Sequence, residues 1–428
     1  MSPRAEIIIA KTVTVTVTIP RCAESNGLHK KREYHAHNIY NIQHNSSKNT
    51  TAKAHLRAPF YTSTHHIMWT IPPLPKLYSC ISDPTEPIGM RMRAAYFLRQ
   101  QYANSSANNE DETLEEIIDK LCGALQQRKH GSLLRHEFAY VLGQIRDSNA
   151  RTSLENVLRN EEECVMVRHE CAEALGAIGC MESLSLLQNL THNKHIEVSE
   201  TCRLAVDYMT LKSDVACACM LSPYNSVDPA PPHPSHVDMS TEEIGVLLRD
   251  ASLPLFQRYR AMFSLRNRGG TACALELGRA LVEDESSATL RHEVAYVLGQ
   301  MQCDQSLEAL EASLSREGEH RMVRHESAEA LGAIEGRWTE CQLVLKRFMH
   351  DADDVVRESC IVALDAADYF GHGNDNAVEH HCGNNASSFA GTKANSNEDI
   401  ALSCSAAESS SNITSRIEVL KTHFNAVP

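Results

Sequence analysis

Val167-Arg168-His169-Glu170-Cys171-Ala172-Glu173-Ala174-Leu175-Gly176-Ala177-Ile178-Gly179 is the stretch that decides the fold, because the chain repeats it. Arg-His-Glu opens the segment and a small-residue apolar run closes it. The same tripeptide stands at 135–137, 291–293 and 324–326, followed by FAYVLGQI, VAYVLGQM and SAEALGAI. The first two copies lie 33 residues apart, as do the last two. A period near 33 belongs to helical solenoids, in which each hairpin buries its apolar face on its neighbours.

Working outward, a second layer of self-similarity relates two halves. RMRAAYFLRQ at 91–100 matches RYRAMFSLRN at 258–267, and VSETCRLAVD at 198–207 matches VRESCIVALD at 356–365. The reading is all-α, a solenoid of helical hairpins in two pseudo-symmetric four-hairpin halves, 83–213 and 240–370. Residues 214–239 form a linker whose five prolines between 221 and 239 forbid a continuous helix. Its composition suits a semi-extended bridge between two rigid bodies. The offset between halves falls from 167 at the first hairpin to 156 at the second, so the first half carries 11 extra residues. The polar run QYANSSANNEDE at 101–112 reads as their surface loop. Residues 1–82 are expected to be an unstructured extension and 371–428 a disordered tail.

Composition bounds the function. Aromatics make up only 5% of the chain against 42% hydrophobic residues overall, so Ala, Leu and Val supply a core of close-packed helices. Of the formal charge of −14, residues 1–80 hold ten Lys/Arg against three acids and 371–428 three against six, which leaves −18 on the repeats. Such a surface repels nucleic acid and attracts a basic partner. No run approaches the ~18 apolar residues that read as a membrane span, and Ile7–Ile19 alternates Thr with Val like a strand. The 15 cysteines are odd in number, scattered, and without a CxxC pair. Free thiols in a reducing compartment follow, and a cytoplasmic monomer is the expectation.

The chemistry lies in the His-Glu pairs. Aligned by their leucines, the end hairpins carry Met92-Arg93, Glu200-Thr201, Tyr259-Arg260 and Glu358-Ser359 where the middle hairpins carry His-Glu. End repeats differ because one side faces solvent, but here the arginine and the leucines persist while the His-Glu pair does not. Equivalent positions on stacked helices point the same way from axes about 8–10 Å apart. His136 and His169 can therefore reach one metal, and His292 and His325 another. Neighbours in a helix diverge by ~100°, so the carboxylate completing each set is expected from the opposing half. Two histidines, a carboxylate and open positions make the non-haem iron pattern. Glu137, Glu170, Glu293 and Glu326 offset two divalent charges that the buried acids would otherwise lack. Arg135, Arg168, Arg291 and Arg324 read as ties between helical layers. A competing reading makes the pairs the acidic concave face of a non-catalytic scaffold for a basic protein; a zinc hydrolase on the same ligands is a third.

The four His-Glu pairs, the block VRHECAEALGAIG and the linker run PYNSVDPAPP together resemble the deoxyhypusine hydroxylase family, over about 83–370. The resemblance implies HEAT-type hairpins and a di-iron, O2-dependent monooxygenase fed by an external reductant. Its substrate would be the deoxyhypusine form of eukaryotic translation initiation factor 5A, whose modified lysine becomes hypusine. Carried onto this chain, it implies one iron on His136, His169 and Glu293, and the other on His292, His325 and Glu137. Glu170 and Glu326 would then bind the amines of the substrate arm.

Overall fold

The structure, a computed structural model, describes residues 71–211 and 222–371. Sixteen α-helices and no strand occur among them. In the first half the hairpins are α1 (Leu74–Ser82) with α2 (Ile88–Asn108), α3 (Asp111–Leu125) with α4 (Gly131–Ile145), α5 (Arg151–Arg159) with α6 (Val165–Ile178), and α7 (Leu184–Leu190) with α8 (Ile196–Thr210). The second half repeats the order: α9 (Thr241–Arg249) with α10 (Leu255–Arg268), α11 (Gly270–Glu283) with α12 (Ala288–Met301), α13 (Leu307–Ser315) with α14 (Arg321–Gly332), and α15 (Trp338–Phe348) with α16 (Asp354–Gly371). The described part of the chain is an all-α solenoid.

Three details depart from the sequence reading. The 1–82 extension ends too late, because Leu74–Ser82 is α1, the outer helix of the first hairpin, which buries Leu77, Tyr78 and Ile81. Those positions, one turn apart, carry an ordinary amphipathic period but none of the duplicated motif. The polar run 101–112 is not a loop: α2 continues to Asn108, and α3 starts at Asp111. No Gly or Pro interrupts this run, Tyr102 reaches Asp147 at 2.8 Å, and Asn109 in the left-handed region ends the helix. The linker, finally, does not simply bridge. From Ser222 it packs against the repeats and buries Ala230. Arg266 pairs with Asp228, Gln144 bonds Val227 at both its carbonyl and its N–H, and Arg260 donates to the carbonyls of Pro231 and Pro232. The expectations for 1–70 and 372–428 lie outside the described residues.

The inner helices α4, α6, α8 and α12, α14, α16 stack in order. Their leucines (Leu134, Leu142, Leu175, Leu290, Leu298, Leu331) are fully buried, each contributing about 1.5–3 kcal/mol. The Gly of each LG motif sets their separation. A Cβ on Gly143 would stand 2.8 Å from the Ala174 backbone, and one on Gly299 3.1 Å from that of Ala330. Only hydrogen fits there, so the helix axes close in and the histidines two turns away are drawn together. The arginines do tie layers: Arg135 and Arg291 pair with Glu163 and Glu319, while Arg168, Arg258 and Arg324 donate to carbonyls closing the preceding outer helices.

The halves close on each other head to tail. α16 packs on α2, and α8 on α10 and α12. Arg93 with Asp365 spans the first seam; Ser287 to Glu200, 2.7 Å, spans the second. His320 is a half-buried helix cap 3.4 Å from Glu197 of the other half. The concave faces of both halves thus enclose one space.

Candidate metal centre

All four histidines point into that space. The ring centroids of His136 and His169 lie 5.5 Å apart, those of His292 and His325 5.3 Å. Across the halves His136 stands 5.1 Å from His325 and His169 5.1 Å from His292. None of the eight predicted ligands is more than 8% exposed. The four glutamates line one cavity of about 150 Å³ with His136 and His292. The convergence expected from the repeat is present.

Of the outer ring nitrogens, those of His136 and His169 are hydrogen-bonded, and those of His292 and His325 are buried without such a partner. His136 Nδ1 donates to Glu137 at 3.0 Å, and Glu137 also accepts from Tyr96 at 2.6 Å. His169 Nδ1 donates to Thr201 Oγ1 at 3.3 Å, and Glu329 stands 3.5 Å from His325 Nδ1. The inner atoms, Nε2 of all four, are buried without a hydrogen-bond partner. A buried polar atom without a partner costs about 1–3 kcal/mol, so four aimed at one point call for something that accepts their lone pairs.

The carboxylates decide the grouping. Glu170 Oε2 lies 3.1 Å from His136 Nε2 and 3.6 Å from His169 Nε2. Glu326 Oε2 lies 3.5 Å from His292 Nε2 and 3.9 Å from His325 Nε2. Each histidine pair stands beside a carboxylate from its own half, while Glu137 and Glu293, expected to cross to the opposing pairs, line the same cavity. The ~100° divergence parts Glu170 from its helix neighbour His169 but not from His136. In space Glu170 reaches across the α4–α6 contact to His136, since a glutamate turns on three side-chain bonds. Metal-holding groups form from His136, His169 and His292, from His292, His325 and Glu326, and from His169, Glu170 and Glu173, with donor atoms within 4.8 Å in each.

Electrostatics point the same way. Burial, then the Glu170 charge, pushes the Glu173 carboxyl well above its usual range; burial, then Glu173, does so for Glu293, and burial, then Glu137, for Glu329. Burial and the neighbouring imidazoles hold His169 and His325 well below the ordinary histidine value. Burial also disfavours charge on His136, but Glu170 and Glu137 outweigh it and raise the imidazole. The neutral imidazoles of His169 and His325, beside carboxyls reluctant to ionise, are donors suited to a positive ion, and bound divalent ions remove both penalties. The residues fit a two-metal centre.

Sequence reasoning passed over Glu173 and Glu329, which line the cavity. Their signal was available: each stands four residues beyond a histidine, on the same helix face. The corresponding positions of α4 and α12 hold Tyr140 and Tyr296, whose hydroxyls meet at 2.8 Å across the halves. Val227 and Asp228, also cavity-lining, come from the linker.

Comparison with known proteins agrees with this architecture. The HEAT-repeat family model matches residues 258–365 and the PBS lyase HEAT-like repeat model residues 167–192. A deoxyhypusine hydroxylase of Mus musculus is 43% identical over 291 residues, covering 67% of this chain and 89% of that one. One of Danio rerio is 47% identical over 242 residues, covering 56% and 77%. The chain belongs to the deoxyhypusine hydroxylase family. It is an enzyme of the oxidoreductase class built on HEAT repeats. A solved structure of human deoxyhypusine hydroxylase in complex with glycerol superposes with a TM-score of 0.61 at 41% identity, over 69% of this chain and 96% of that one. Among the described residues, no helix is long and apolar enough to cross a membrane.

Proposed function

We propose that this chain is a di-iron, O2-dependent monooxygenase that hydroxylates the deoxyhypusine side chain of eukaryotic translation initiation factor 5A to hypusine. The observation that carries the reading is the set of four buried, partnerless Nε2 atoms converging on one space with a carboxylate oxygen beside each pair. His136, His169 and Glu170 would hold one iron, and His292, His325 and Glu326 the other. Two ferrous ions, when bound, supply the reduction of dioxygen that attack on an unactivated C–H bond requires and that side-chain acid–base chemistry cannot provide.

The protein's own contribution is placement. Glu137 and Glu293, freed from metal binding, line the cavity as the carboxyl groups that would meet the amines of the arm, replacing Glu170 and Glu326 in that role. Tyr96 and the His136 ring hold the Glu137 carboxylate in one orientation. Fixing the cationic ends of a flexible chain selects the carbon presented for reaction, an effect of position rather than chemistry. The walls keep bulk water from the centre, which strengthens every charge interaction inside. An external reductant would supply the electrons this chemistry consumes. Nine of the described cysteines, Cys80 apart, are free thiols, which supports a cytoplasmic location.

The test is direct. Protein purified from iron-replete cells is expected to hold close to two irons per chain. Incubated with the deoxyhypusine form of the factor, dioxygen and a reductant, it should yield hypusine on amino-acid analysis. Iron-free protein that binds the factor at full affinity and never modifies it would instead support the scaffold reading.

A further inference from the structure

Duplication builds two pseudo-equivalent grooves beside the metal centre, one along α6 and α8, the other along α14 and α16. They are not equally open. Linker residues Val227 and Pro229 lie in the first, against Glu173, Gly176, Leu204 and Tyr208, and leave a space of only about 10 Å³. The second is continuous with the cavity of about 150 Å³ that holds the His and Glu cluster.

Side-chain size follows the same division. Continuing the match of 198–207 with 356–365 by one residue, Thr201, Leu204, Ala205 and Tyr208 of α8 correspond to Ser359, Val362, Ala363 and Ala366 of α16. Three of the four are smaller on the open side, and none is larger. The arginines at equivalent places also part company. Arg260 donates to the carbonyls of Pro231 and Pro232 and so holds the plug in place, whereas Arg93 pairs with Asp365 beneath the Tyr369 ring at the edge of the open groove. Along α14, Ala333, Glu329 and Glu326 line the open groove, and His325 lies about one helical turn beyond Glu329. Ser359 donates to the Glu329 carboxylate at 2.9 Å, which leaves that carboxylate on the wall between the opening and the metal-binding histidines.

Resting on the function proposed above, we propose that the linker breaks the twofold symmetry of the site so that the cationic arm of the substrate enters only along α14 and α16. Glu329 is the carboxylate that meets an amine of the arm on that path. The occupant is set by chemistry and shape: a narrow unbranched chain carrying amine groups suits a groove walled by alanine and glycine with a carboxyl group along it.

The experiment uses the full iron-loaded chain and a peptide bearing an N-(4-aminobutyl)lysine, with binding read by calorimetry and turnover by hydroxylated product. Ala366→Trp, and the milder Ala366→Leu, should weaken peptide binding on the order of tenfold or more (about 1.4 kcal/mol) with two irons per chain and the unfolding midpoint retained. Glu329→Gln should raise KM by a similar factor with kcat changed little and iron content intact. Tyr208→Ala, on the plugged side, should leave KM unchanged. Wild-type affinity in a folded, iron-loaded Ala366→Trp chain would overturn this inference alone. A wild-type chain that ignores the peptide would sink both it and the function on which it rests.

Discussion

Glu170 shows how little separates two opposite assignments of the same residue. Its Cα follows that of His169, yet its carboxylate lies nearer the imidazole of His136 on the next helix. Glu293 has no such engagement with a histidine pair and faces the cavity. Glu170→Gln and Glu326→Gln are therefore expected to lower iron affinity on the order of 10-fold or more, as loss of an anionic ligand does at such sites. Glu293→Gln is expected to keep both irons and raise KM. Iron determination on the purified variants, beside steady-state kinetics, separates the two roles; iron loss in the Glu293 variant with none in the Glu170 variant would reverse the assignment. The role of each glutamate was not legible in the sequence, because the four His-Glu pairs are identical as text.

Among the elements, glycine spacing and buried ion pairs do the positioning. Gly143 lets α4 approach α6 until the imidazoles of His136 and His169 stand 5.5 Å apart. Gly143→Val is expected to cost about 1–3 kcal/mol by overpacking and to lower iron retention as well, read as a lower thermal midpoint and a lower metal count. The layer ties predict acid sensitivity. Burial alone would raise the Asp284 and Glu163 carboxyls, but the guanidiniums of Arg258 and Arg135 outweigh it and hold both below their usual range. A carboxyl with a folded value below its unfolded one stabilises the fold above the unfolded value, and that contribution is lost as pH falls toward the folded one. Denaturant midpoints should thus decline as pH drops below about 4, the ordinary carboxylate range, and decline less steeply in Asp284→Asn, already weakened at neutral pH. Helix existence was legible here because Leu, Ala and Gly recur at fixed intervals. The continuation of α2 to Asn108 was not, since Asn and Ser favour loops in isolation while docking of Tyr102 and the absence of a breaker favour the helix.

At the scale of the molecule, two seams close two halves around one centre, and the acidic surface supplies long-range attraction. With −18 on residues 81–370, capture of a basic partner should weaken with ionic strength. Raising salt through a range in which the Debye length falls from about 10 to about 3 Å should raise KM for the intact factor more than for a short peptide carrying the same arm. Equal salt dependence for both would confine the electrostatics to the cavity. The sequence reading needed both halves for either ion; each half places a glutamate beside its two histidines, and His292 stands near enough to His136 and His169 to form a donor group across the halves.

Sequence alone determined the solenoid, its duplication and the eight residues at its centre, because a repeat writes equivalent positions as equivalent letters and helical geometry turns those letters into one face. Tertiary structure decided which carboxylate sits beside which imidazole, since that depends on side-chain torsions and the distance between neighbouring helices. It decided also that Val227 and Pro229 close one groove and leave its twin open. A proline-rich run announces an extended chain, but where that chain comes to rest is settled only by the surfaces it finds.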